Sequence, residues 1–209
     1  MKFKDQTIAR FLSELSSGTP TPGGGSTAAL AGAFAAGLIC MVCNLTIGKR
    51  TYQRVEPEMK RILTEAQACR DELLELSDRD TEAFENVMRA YKLPKETTGQ
   101  AQKRKLDLEK ALMEATRVPY RVAEVCARLL EFSEVLAKEG NKNAVSDAGV
   151  AACLAEAALQ GALLNVTINL RLLADKSFKE EYSKKSALLL HEAKARRDSV
   201  MAKVQERLQ

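Results

Sequence analysis

The chain has 209 residues, 45 % of them hydrophobic, and a formal net charge of +4. That length suits a single domain over residues 1–209, with a core large enough to exclude general disorder. Aromatic residues are only 5 % and Trp is absent, so the basic groups lack the stacking partners of a nucleic-acid surface, and no nucleic-acid partner is expected.

The elements read as helix after helix, with no convincing strand and no internal repeat. Asp5 to Ser16 is a short amphipathic helix with Ile8, Phe11, Leu12 and Leu15 on one side. Pro20-Thr21-Pro22-Gly23-Gly24-Gly25-Ser26 then leads into a stretch, Thr27 to Gly48, that carries no charge. The prolines hold the backbone extended, the glycines allow angles that a side chain forbids, and Ser26 is the expected N-cap. A glycine-rich turn at a helix start presents several N–H groups at the positive end of a dipole, which suits an anion or a carbonyl oxygen. The alternative is a flexible connector. The uncharged helix has the length of a membrane span, but its many Ala and Gly residues favour a helix buried on all sides, and no membrane partner is expected.

Pro57 suits the first turn of the next helix, which runs to about Tyr91 and is stopped by Leu93-Pro94. A polar connection at 96–99 precedes a charged helix ending near Arg117. Pro119 restarts the chain into a helix ending at Glu139-Gly140. Asn141 to Ser146 reads as a turn, with Ser146 or Asp147 as the cap of an apolar, central helix reaching about Leu173. Residues 178–208 form a last helix rich in Lys, Arg and Glu. This pattern predicts an all-α, up-and-down bundle of long helices, and the small-residue faces suit a homodimer.

Five cysteines in odd number, scattered and without a secretory-leader pattern, suit reduced thiols in a cytoplasm. Cys40-x-x-Cys43 lies inside the small-residue helix without a second ligand pair, and there is one histidine, so no metal site is expected. That residue, His191, reads as surface, which leaves no nucleophilic triad to assemble.

Two alignments carry polar groups inward. Leu73, Leu76, Phe84, Val87 and Tyr91 form one apolar stripe, and at about 100° per residue Asp80 falls in its middle. A carboxylate on an inward face is either a structural ion-pair partner or an acid–base group with a raised pKa, and spacing alone does not decide between them. Asp78 points about 160° away and reads as solvated. On the apolar helix, Asp147, Leu154, Ala158, Gly161, Asn165 and Asn169 fall within about 40° of one line. There the polar groups either cap and bridge helices or meet a ligand. Lys49, Arg50 and Arg54 follow the uncharged helix, and Lys103-Arg104-Lys105 form a second basic cluster.

Pro22-Gly23-Gly24-Gly25-Ser26, Leu45-Thr46-Ile47-Gly48-Lys49-Arg50, Asp80-x-x-x-Phe84, Tyr91-Lys92-Leu93-Pro94-Lys95, Ser146-Asp147 and Asn165-Val166-Thr167-Ile168-Asn169-Leu170 together resemble the cyclodeaminase/cyclohydrolase family. The resemblance covers nearly the whole chain in order. It implies an all-helical, dimeric enzyme acting on one-carbon units carried by tetrahydrofolate, the folate being substrate, with no separate cofactor.

The leading expectation is methenyltetrahydrofolate cyclohydrolase activity. Formiminotetrahydrofolate cyclodeaminase activity is the rival, and a non-catalytic folate-binding scaffold the third reading. Under the resemblance Asp80 becomes the first choice as general acid–base group, and Asp147, Asn165 and Asn169 become candidates for contacts to the pterin or the one-carbon bridge. The N–H groups of Gly23, Gly24, Gly25 and Ser26, with Lys49, Arg50 or Lys95, become candidates for the glutamate carboxylates or the pterin amide.

Overall fold

The computed structural model describes residues 2–209 and contains six α-helices, with no strand among the described residues. They are α1 (Ile8–Leu15), α2 (Gly24–Thr46), α3 (Glu56–Tyr91), α4 (Thr98–Glu139), α5 (Val145–Leu172) and α6 (Lys176–Leu208). A short 3-10 turn at Phe3–Asp5 precedes α1, and others at Arg50–Val55 and Lys142–Ala144 join α2 to α3 and α4 to α5.

Consecutive long helices run antiparallel, and named contacts fix each register. Gly25 of α2 meets Asp80 of α3, and Gly32 meets Leu73. Between α3 and α4, Arg79 pairs with Glu114, Arg121 with Glu72 and Arg128 with Glu65. Asn169 of α5 reaches Ala115 of α4, and Gly149 faces Val204 of α6. Helices α2, α4 and α5 form the centre, with α3 and α6 flanking.

Helix α2 can approach its neighbours closely because its buried residues are mostly small: Ala28, Ala29, Ala33, Ala35, Ala36 and Gly32. Larger chains fill the rest of the core. Met59, Ile62, Leu73, Leu112, Leu129, Leu130, Leu136 and Leu159 are wholly buried, each contributing about 1.5–3 kcal/mol of transfer free energy.

Three expectations about element ends are corrected. Ser26 is not the N-cap: α2 already begins at Gly24, Gly23 caps it with extended backbone, and Ser26 is buried in the first turn. None of Gly23, Gly24 or Gly25 has a left-handed φ, so their value is space rather than backbone freedom; the left-handed glycine is Gly48, which ends α2. Pro119 does not restart a helix. It lies inside α4, where its missing N–H leaves the Ala115 carbonyl without its usual partner four residues on. The Asn169 side-chain amide donates to that oxygen at 2.6 Å, so the helix continues. Neither Ser146 nor Asp147 caps α5, which begins at Val145 and holds Asp147 in its first turn.

Asp78 is also more than a surface charge. It is half-buried, and its Oδ1 accepts a 2.7 Å hydrogen bond from the Phe3 N–H, fastening the N-terminal turn to α3. Helix α2 and the segment Lys142–Leu172 are each long and apolar enough to cross a membrane, with mean hydropathies of 2.0 and 1.4. Within this bundle both pack against other helices along much of their length. Their remaining outward faces are apolar, with Phe34, Met41, Leu45, Val150, Leu164 and Ile168 exposed.

Candidate active site

A cleft of about 380 Å³ opens where α2 begins and α3 and α5 end. Its floor is the glycine turn, Gly23 to Gly25, beside Asp80 of α3 and Asn165 and Asn169 of α5. Phe84, Met88 and Tyr91 follow Asp80 along α3 and form one wall, each more than a third exposed. Ile168 and Leu172 of α5 form the other, with Pro20 and Thr21 at the rim. A flat, partly aromatic ligand would lie between these walls with its polar edge on the floor.

Asp80 supplies the carboxyl group among the residues lining this cleft. Burial pushes its carboxyl above the ordinary aspartate value of 3.8, against the opposing pull of hydrogen bonds from the Ser26 hydroxyl and main-chain N–H. The hydroxyl lies 3.2 Å from Oδ2. No Lys or Arg among the described residues forms an ion pair with it, which removes the structural ion-pair reading. The positive end of the α2 dipole therefore stands in for a counter-ion.

The three glycines are not equivalent. A Cβ on Gly25 would overlap the Asp80 carboxyl, whereas one on Gly24 would rest 3.6 Å from Asn165 Nδ2 in ordinary contact. One on Gly23 would touch the Pro20 carbonyl at 3.4 Å. Gly25 is the position where absence of a side chain lets the carboxyl reach the helix start.

Both asparagines use their amide nitrogens within the fold. Asn165 Nδ2 donates to Gly161 O at 2.9 Å, and Asn169 Nδ2 to Ala115 O. Their Oδ1 atoms receive no donor from the described residues and remain as acceptors in the cleft.

The other sequence-derived candidates lie elsewhere. Asp147 shares a helical line with Asn165 but stands eighteen positions earlier, about 27 Å along α5. Lys49 and Arg50 are exposed beyond the far end of α2, about 35 Å from the glycine turn. Lys95 is exposed four residues past Tyr91, at the cleft's end of the bundle, but does not line it.

The apolar stripe on α3 turns inward along its length but meets two environments. Leu73, Leu76 and Val87 are buried, but Phe84 and Tyr91 open into the cleft. Met88 and Leu172 carry no signal of their own in the sequence, and Ile168 appears there only inside the Asn165–Leu170 motif, because an apolar residue facing a cleft has the same spacing as one facing a core.

Residues 7–187 match the family model described as formiminotransferase-cyclodeaminase. The chain is 42 % identical to the methenyltetrahydrofolate cyclohydrolase of Methylorubrum extorquens, over 98 % of both proteins. The chain belongs to this family. Rat formimidoyltransferase-cyclodeaminase is 34 % identical over 97 % of the chain, which spans 38 % of that longer protein. The crystal structure of formiminotetrahydrofolate cyclodeaminase from Thermotoga maritima superposes with a TM-score of 0.82 at 36 % identity, covering 98 % of this chain and 96 % of that one. This family member is thus matched from end to end by two proteins of similar length whose names give two different activities.

Proposed function

We propose that the chain is a folate one-carbon enzyme that hydrolyses 5,10-methenyltetrahydrofolate to 10-formyltetrahydrofolate. The observation that carries this reading is Asp80, a half-buried carboxylate on the floor of an aromatic-walled cleft, with no cationic partner among the described residues. The end-to-end similarity to a cyclohydrolase supports it.

The methenyl bridge is a cationic amidinium between N5 and N10. Ionised Asp80 stabilises that cation and takes a proton from the water that attacks the bridge carbon. The resulting tetrahedral carbon collapses as its bond to N5 breaks. N5 gains one proton, the carbon keeps the oxygen as a formyl group on N10, and one proton leaves to solvent. Phe84 and Tyr91 pack on the ring systems, while Asn165 and Asn169 accept from pterin N–H groups. Gly23, Gly24 and Gly25 supply main-chain N–H groups at the cleft floor, while the Ser26 N–H is engaged by Asp80. This is acid–base chemistry on the folate itself, so we assign no cofactor, and addition of a chelator should leave the rate unchanged.

The similarity to the Thermotoga maritima cyclodeaminase favours a second reading, in which the same carboxyl protonates departing ammonia as a formimino group closes onto N10. Purified protein decides between them. Loss of the methenyl absorbance without ammonia supports the hydrolase, ammonia release from the formimino substrate supports the deaminase, and neither signal leaves a non-catalytic folate-binding scaffold.

Of the cations, we assign the glutamate carboxylates to Lys95, at the cleft's end of the bundle. Lys49, Arg50 and Asp147 have no part in this cleft within one chain. We further propose a cytoplasmic homodimer in which a second copy covers Phe34, Met41, Leu45, Val150 and Leu164. Light scattering of the purified chain tests this, a monomer at micromolar concentration counting against it.

A further inference from the structure

Proline inside a long helix is costly, since it removes one hydrogen bond and leaves the carbonyl four residues earlier unpaired. In α4 the proline is Pro119 and the carbonyl is that of Ala115, a residue lining the cleft. The donor that meets this carbonyl comes from another helix: Asn169 Nδ2, at 2.6 Å. A carbonyl can be met only by the nitrogen end of a side-chain amide, so the contact settles which way Asn169 faces. Its Oδ1 receives no donor from the described residues, and Asn169 lines the cleft.

We infer that Pro119 is a positioning residue for ligand recognition: by withholding its own N–H from Ala115, it holds the Asn169 amide with its oxygen presented to the ligand. The substrate group so recognised is an N–H donor, such as the edge of a pterin ring. An alanine at 119 would supply the missing helical N–H to Ala115. Asn169 would then be free to turn its NH2 toward the same ligand edge, where donor would meet donor. The inference rests on the folate reading for its ligand, and on helix geometry alone for its hydrogen bond.

Two measurements separate these. In a stability cycle, Asn169→Ala strands the Ala115 carbonyl in the parent but not in Pro119→Ala. The urea midpoint should therefore fall on Asn169→Ala in the first background and stay within error in the second. Equal falls in both backgrounds would overturn the coupling.

For orientation, binding of 5-formyltetrahydrofolate, a stable reduced folate, is followed by titration calorimetry. Pro119→Ala should weaken binding about three- to tenfold, the worth of one neutral hydrogen bond. In turnover its KM should rise while kcat stays within about twofold. The double variant should bind no more weakly than Asn169→Ala alone. Unchanged affinity in Pro119→Ala would overturn the inference. If the parent binds no folate while the stability cycle shows coupling, the folate reading fails and the positioning of Asn169 stands.

Discussion

Gly25 and Asp80 compete for one volume. The carboxyl of Asp80 occupies the space where a Cβ on Gly25 would stand, so the acid reaches the start of α2 because position 25 has no side chain. Gly25→Ala should therefore displace the carboxyl and lower kcat/KM by about 10²-fold, the cost of moving a reacting group by roughly 1 Å. Gly24→Ala adds a methyl group in ordinary contact with Asn165 and should retain most activity. Parallel kinetics on the two variants provide the check.

Asp80→Asn should reduce kcat by about 10²–10⁴-fold, the usual worth of a general acid–base group, with the helical circular dichroism unchanged. Its effect on stability has the opposite sign. The folded carboxyl titrates above 3.8 because burial disfavours the charged form, so the folded state holds its proton more tightly than the unfolded chain. The parent loses stability as pH rises from 3.8 through that raised value. Asn carries no charge to bury, so the variant should be the more stable at pH 7. The difference should close below 3.8, which urea melts at several pH values would reveal.

Ser26→Ala removes the hydroxyl that donates to Asp80 Oδ2 and favours its ionised form. The carboxyl should then titrate still higher, shifting the acidic limb of the kcat/KM profile upward while the rate on the plateau falls only severalfold. A limb that stays in place would mean that a different group sets the profile.

Gly32 has a purely structural role. A Cβ there would lie 2.8 Å from Cys126 Sγ and 3.1 Å from Leu73, both in the core between α2, α3 and α4. Gly32→Ala should cost about 1–3 kcal/mol through overpacking. Adding Cys126→Ala, which vacates the contested space, should recover part of that loss in chemical denaturation.

Much of the bundle was legible because its signals are local. Pro94 follows the end of α3, Gly140 caps α4, and the stripe from Leu73 to Tyr91 turns Asp80 inward by angle alone. What was not legible depends on distant partners or on height along an axis. Pro119 reads as a break because its remedy, Asn169, lies fifty positions away in another helix. Asp147 and Asn165 share an angle, but angle names a face and says nothing about the eighteen residues between them. The α3 stripe has one period whether a side chain meets another helix or an open cleft, so Phe84 and Tyr91 were indistinguishable from core.

Among the described residues no lysine or arginine pairs with Asp80, and this bears on turnover as well as on chemistry. On the folate reading, the opposite charge arrives with the incoming molecule and disappears from the bridge once the formyl group has formed. The attraction that draws the substrate in is thus switched off by the reaction itself, and the neutral bridge of the product has less to hold it as it departs.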